Sequence, residues 1–115
     1  MANTFKVITK AGVTSADVIY TVAGSTTTVI LGIILGNTTS SSINATVTLT
    51  SDTSGRAGNN DEANQAVELI TATPIPGNSS LELLAGNKVV METTDTLSVT
   101  GTGATDVALS VMEIT

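Results

Sequence analysis

The chain has 115 residues, with ten acidic and four basic side chains, no His and no Cys, and a formal net charge of −6. That balance repels nucleic acid, and the missing residue types exclude Ser-His-Asp and Cys-His chemistry, disulfides and Cys-based metal sites. With 41% hydrophobic and only 12% charged residues, the rest being rich in Thr, Ser, Asn and Gly, the composition is that of a folded chain of strands and turns rather than of a disordered one. Its length fits one domain over residues 1–115.

In chain order, the first predicted strand covers residues 5–9. The second alternates Val18, Tyr20 and Val22 with Ile19 and Thr21, and Ala23-Gly24-Ser25 turns the chain into the third. Residues 27–35 differ, because they are apolar at consecutive positions and so should be covered on both faces. We therefore place this segment centrally, with a cover over its outer side that another subunit could supply. Its apolar run of seven residues contains Gly32 and is far short of the roughly 20 that a membrane-spanning helix needs. Gly36-Asn37 ends it.

The clearest alternation follows, with Ile43, Ala45, Val47 and Leu49 on one face and Asn44, Thr46, Thr48 and Thr50 on the other. Residues 51–65 hold several glycines and asparagines and no large apolar side chain, and read as a long surface loop. Shorter alternating strands are expected around Val67 and Leu69, Leu81 and Leu83, and Leu97 and Val99, with another over residues 88–91. Pro74-Ile75-Pro76-Gly77 should break any ladder, and Gly86-Asn87 reads as a tight hairpin turn. Gly101-Thr102-Gly103 precedes the last strand, which alternates Val107, Leu109 and Val111 with Ala108 and Ser110. About nine short strands without a helical period predict an all-β protein, an antiparallel β-sandwich of immunoglobulin-like or jelly-roll type.

Little chemistry is on offer. Asp52, Asp61 and Glu62 fall in or beside the long loop but match no calcium-loop spacing, and read as solvated acids. Glu82, Glu92 and Asp95 are the nearest thing to paired carboxylates for glycoside hydrolysis, yet Phe5 and Tyr20 are the only aromatics a sugar could stack on. Asn-x-Ser/Thr triplets at Asn37, Asn44 and Asn78 are what such a composition generates by chance, and residues 1–4 show no signal-peptide pattern. Gly101-Thr102-Gly103 leads into a strand and so lacks the helix dipole of a phosphate loop. The reading is therefore non-enzymatic, without cofactor or metal.

What remains is surface. Thr- and Ser-rich strand faces are uncharged and cost little to desolvate, which suits packing between subunits, and low charge weakens the usual guard on strand edges. The residues expected to meet a partner are Phe5, Val29, Ile30, Ile33 and Ile34, with Arg56 in the loop as an anchor for a partner carboxylate.

Several blocks together span most of the chain: Met1-Ala2-Asn3-Thr4-Phe5-Lys6, Ile19-Tyr20-Thr21-Val22-Ala23-Gly24-Ser25-Thr26-Thr27, Thr73-Pro74-Ile75-Pro76-Gly77-Asn78-Ser79-Ser80-Leu81-Glu82-Leu83, Lys88-Val89-Val90-Met91-Glu92 and Asp95-Thr96-Leu97-Ser98-Val99. In these the sequence resembles the small β-rich virion proteins of tailed bacteriophages, of the kind found in marine and cyanobacterial phages. Those proteins usually carry Pro-Ala-Gly where this chain has Val22-Ala23-Gly24. The resemblance implies a capsid decoration or cement protein on the outer surface of the virion, made in the host cytoplasm. It would be oligomeric and would contact the major capsid protein or other virion proteins. A tail, neck or fibre component is the alternative it leaves open, and a carbohydrate-binding module using residues 51–65 is a third.

Overall fold

Alternating side chains make strands with one wet and one dry face, and two such dry faces close on each other in the computed structural model, which describes residues 2–51, 64–84 and 86–115. The strands are β1 (Asn3–Val13), β2 (Asp17–Thr21), β3 (Thr27–Asn37), β4 (Ile43–Thr50), β5 (Val67–Ile75), β6 (Ser80–Leu83), β7 (Val89–Met91), β8 (Thr96–Gly101) and β9 (Thr105–Ile114). One sheet has the order β1-β9-β3-β6, with β7 also on β3; the other has the order β2-β8-β4-β5, and all pairs are antiparallel.

The connectivity decides between the two sandwich types. Every connection except β4–β5 and β6–β7 crosses from one sheet to the other, and β6 and β7 lie along the same side of β3 as one interrupted strand. That leaves eight strand positions, four per sheet, wound as nested Greek keys: a jelly roll. An immunoglobulin-like sandwich would instead place its first, second, fourth and fifth strands together.

The core is aliphatic. Ile30, Ile33 and Leu35 of β3, Leu109 and Val111 of β9, Leu97 and Val99 of β8, and Ala45 and Val47 of β4 are essentially sealed, joined by Met91 and Ile75. Both Ile30 and Ile33 point inward, although an uninterrupted strand would put them on opposite faces. A bulge between Ile30 and Gly32 accounts for this by adding Leu31 to β3 opposite β9.

Two turn expectations are corrected. Pro74 does not break the ladder but pairs with Asn44 inside β5; β5 is an edge strand, where a missing N–H can face solvent. Gly86-Asn87 closes no hairpin, because β6 and β7 run in the same direction along β3. Gly86, at φ +83°, instead serves the kink between the two pieces, where the Asn87 amide donates to the Leu84 carbonyl.

Candidate functional site: a bare sheet face

Among the described residues, six large apolar side chains stand exposed, and four of them, Phe5 (71%), Val7 (66%), Ile34 (46%) and Val90 (59%), share one surface. The register shows why. Directly opposed residues of an antiparallel pair point to the same side. In the first sheet Phe5 opposes Met112, Met112 opposes Val29, and Val29 opposes Val90, so one apolar row crosses β1, β9, β3 and β7. Beside it runs Val7–Ser110–Gly32, and beyond that Thr9–Ala108–Ile34–Glu82. Asn3–Ile114–Thr27 closes the other end.

All of these point away from the core, whose inward rows are Ile8–Leu109–Ile33 and Lys6–Val111–Ile30. Four strands about 4.8 Å apart and ten residues of about 3.3 Å give a surface on the order of 500 Å². That is the whole face, with its polar residues Asn3, Thr9, Ser110, Glu82 and Asp106 included, and the apolar row is a part of it. Its charged residues, Glu82 and Asp106, sit toward the end that holds Ile34 and Gly36.

The outer face of the second sheet is different in kind. There Thr46 opposes Thr100, Thr48 opposes Ser98, and Thr50 opposes Thr96, giving a ladder of hydroxyls. The molecule thus has one largely apolar broad face and one whose centre is a ladder of hydroxyls, with Val18 opposite Ser98 and Glu68 opposite Thr48 at its flanks.

Of the partner residues expected from sequence, Phe5, Val29 and Ile34 come together on the apolar face. Ile30 and Ile33 do not: at 0% and 1% exposure they are core residues, and the Leu31 bulge is what turns them inward. Arg56 lies outside the described residues, as do Asp52, Asp61 and Glu62 and the body of the 51–65 loop. Val7, Val90 and Met112 belong to the face and were missed. Their signal was consecutive apolar pairs, Val7-Ile8, Val89-Val90 and Val111-Met112, each of which makes both sides of a strand apolar.

A polar clasp borders this face from within. Tyr20, on β2 of the opposite sheet, donates its hydroxyl proton to Glu113 Oε2 at 2.5 Å and accepts from Thr28 Oγ1 at 2.7 Å, and Lys6 pairs with Glu113 Oε1 at 2.8 Å. Four strands from both sheets meet in this network. The Lys6 ammonium and then the Tyr20 hydroxyl hold the Glu113 carboxyl below its ordinary 4.5. Burial, reinforced by the bond to Glu113, pushes the Tyr20 hydroxyl up to about 12.

Because Glu113 titrates lower when folded, its contribution is present above its unfolded pKa and is lost as pH falls through the folded value. The raised Tyr20 contributes fully below pH 10 and is lost as pH rises toward about 12. Stability measured by urea unfolding is therefore expected to fall below about pH 4.5 and again above pH 10. Tyr20→Phe should lower it by about 1–3 kcal/mol at pH 7 and remove most of the alkaline limb. An unchanged pH profile in that variant would contradict the clasp.

The carboxylates weighed for hydrolysis are not assembled as a trio. Glu82 lies on the outer face opposite Ile34. Asp95 is buried in the turn before β8, where its carboxylate accepts the Glu92 amide at 2.9 Å. Glu92 and Asp95 share a recess of about 290 Å³ with Leu49, Ser51, Asn64 and Val90, and Glu82 is not among its lining residues. Among the described residues no three acidic side chains converge as a metal site, and no helix is long and apolar enough to cross a membrane.

The fold and this surface define an all-β jelly roll with one face left apolar. Comparison with known proteins finds no matching family model and no matching curated protein. Among solved structures the chain is similar to one described under "Bacillus endospore appendages form a novel family of disulfide-linked pili". The two are 17% identical, the alignment covers 99% of this chain and 87% of that one, and the TM-score is 0.48. At that TM-score the likeness carries no functional weight.

Proposed function

We propose that this chain is a virion structural protein of a tailed phage, a capsid decoration or cement protein that lays the outer face of the β1-β9-β3 sheet on major capsid subunits. The observation that carries the reading is the row Phe5–Met112–Val29–Val90, which a solitary domain would leave in water. Jelly rolls are recurrent in viral capsid proteins, though a fold alone assigns no role. The sequence blocks that resemble phage virion proteins add the particle. Many copies of a shallow apolar contact would stabilise a shell through repetition rather than through any single strong site.

In this reading the protein turns over no substrate and binds no cofactor, and its work is the burial of apolar surface. Quantitative mass spectrometry of purified particles tests it. Copies in the hundreds support shell decoration. The small number that one symmetric ring holds would move the protein to the neck or tail.

A further inference from the structure

The first sheet also has an open edge. Ala2 and Thr115 exchange both backbone hydrogen bonds, N to O at 3.2 and 3.0 Å, and the register from Asn3 to Lys10 against β9 runs without a shift. In an antiparallel ladder hydrogen-bonded residues alternate. The even-numbered residues of β1 therefore spend their amides and carbonyls on β9, and those of Asn3, Phe5, Val7 and Thr9 point outward along the free edge.

The other edges are guarded. β5 carries Pro74, two register shifts and Ala72 at φ +43°. β2 has five residues and a shift between Val18 and Tyr20, and the β6–β7 edge is broken into pieces of four and three residues. Short strands, prolines and bulges are how sheets avoid adding a strand. β1 has none of these between Asn3 and Lys10. Its two lysines, which would otherwise serve as guards, are engaged by Glu113 at 2.8 Å and Asp17 at 3.7 Å.

We propose that β1 pairs antiparallel with β1 of a second copy about a two-fold axis at Val7, joining the two first sheets into one. This deepens the assembly reading above and rests on it only in taking the chain to be an assembling subunit. Charge selects the register. Sheet continuity requires odd residues to face odd ones. A two-fold at Lys6 would oppose the two copies of Lys6, and one at Ile8 would oppose Lys6 to Lys10 twice. The two-fold at Val7 opposes Lys6 to Ile8 and Thr4 to Lys10, and it pairs residues 4–10 of the regular stretch of β1. Val7 then faces itself and Phe5 faces Thr9, both as hydrogen-bonded pairs. The apolar faces of the two copies become continuous, doubling the surface offered to a shell.

The chain has no cysteine, which makes the test clean. Across a hydrogen-bonded pair the Cα atoms are about 5.5 Å apart, within the disulfide range. Val7→Cys should thus form a covalent dimer under mild oxidation. Phe5→Cys should not, because the two Phe5 positions lie about four residues, or 14 Å, apart along the strands. Val7→Pro, which removes an amide that β9 does not use, should sediment as a monomer with its thermal midpoint little changed, whereas the wild type sediments as a dimer.

A wild-type monomer, or a wild-type dimer in which Val7→Cys stays reduced, overturns the pairing. So does β1 found against a different polypeptide in the particle. Should the variants fail in this way while particle binding persists, the pairing is wrong and the decoration reading survives. Loss of particle binding with the cross-link intact would have the opposite meaning.

Discussion

Replacing Asn37 by Leu is expected to destabilise the fold by about 3–5 kcal/mol, the range of a broken buried polar network. Asn37 ends β3 at 3% exposure. Its Nδ2 donates to the carbonyls of Ser41 at 2.8 Å, Ile75 at 2.9 Å and Pro76 at 3.1 Å, while Oδ1 accepts the Thr39 amide at 2.9 Å and the Thr39 hydroxyl at 2.7 Å. One side chain thereby joins the end of the first sheet to the β3–β4 loop and to the end of β5 in the second sheet.

Leucine matches the volume but leaves the buried Ile75 carbonyl without its partner and takes one from the part-buried carbonyls of Ser41 and Pro76 and from the Thr39 amide. The neighbouring turn packs closely against this corner, since a β-carbon at Gly77 would collide with the Ser40 carbonyl. Chemical denaturation of Asn37→Leu against wild type is the measurement, and a change within about 0.5 kcal/mol, the range of an ordinary surface substitution, would show that water or rearrangement replaces the network.

Six of the nine strands were legible from alternation, because side chains on a strand repeat every two residues, and residues 27–35 were legible from an unbroken apolar run. The alternation failed where a bulge shifted it. Val18 and Tyr20 share a face in an unbroken strand, but the shift between them leaves Val18 at 56% exposure while Tyr20 is buried. The Leu31 bulge likewise sent Ile30 and Ile33 into the core together. Bulges are set by long-range pairing, which local sequence does not encode.

The same limit applies to Pro74, acceptable only because β5 turned out to be an edge, and to Gly86, whose neighbouring strands meet β3 rather than each other. For the site, residues 27–35 announced a strand apolar on both faces. The contributions of Val7, Val90 and Met112 required knowing that β9 and β7 flank it and that β1 lies beyond β9. Asn37 read only as the end of a strand, since the carbonyls it holds come from residues up to 39 positions away.

The second large effect concerns the apolar face itself. Met112 lies at its centre, flanked by Phe5 and Val29 and only half-buried by its own chain. A glutamate there is solvated in the free protein, so the fold should tolerate it at a cost of about 1 kcal/mol. Packed against a shell, the same carboxylate would be stripped of water with no cation placed to receive it. Thr100→Glu adds the same charge to the hydroxyl-covered face of the other sheet and controls for net charge. Binding of both variants to particles lacking the protein is the measurement that bears most directly on the account. Met112→Glu should lose affinity by about 100-fold, equivalent to roughly 2.7 kcal/mol, with Thr100→Glu binding as wild type. The reverse order, with Met112→Glu binding normally and Thr100→Glu impaired, would place the working surface on the other sheet and contradict the account.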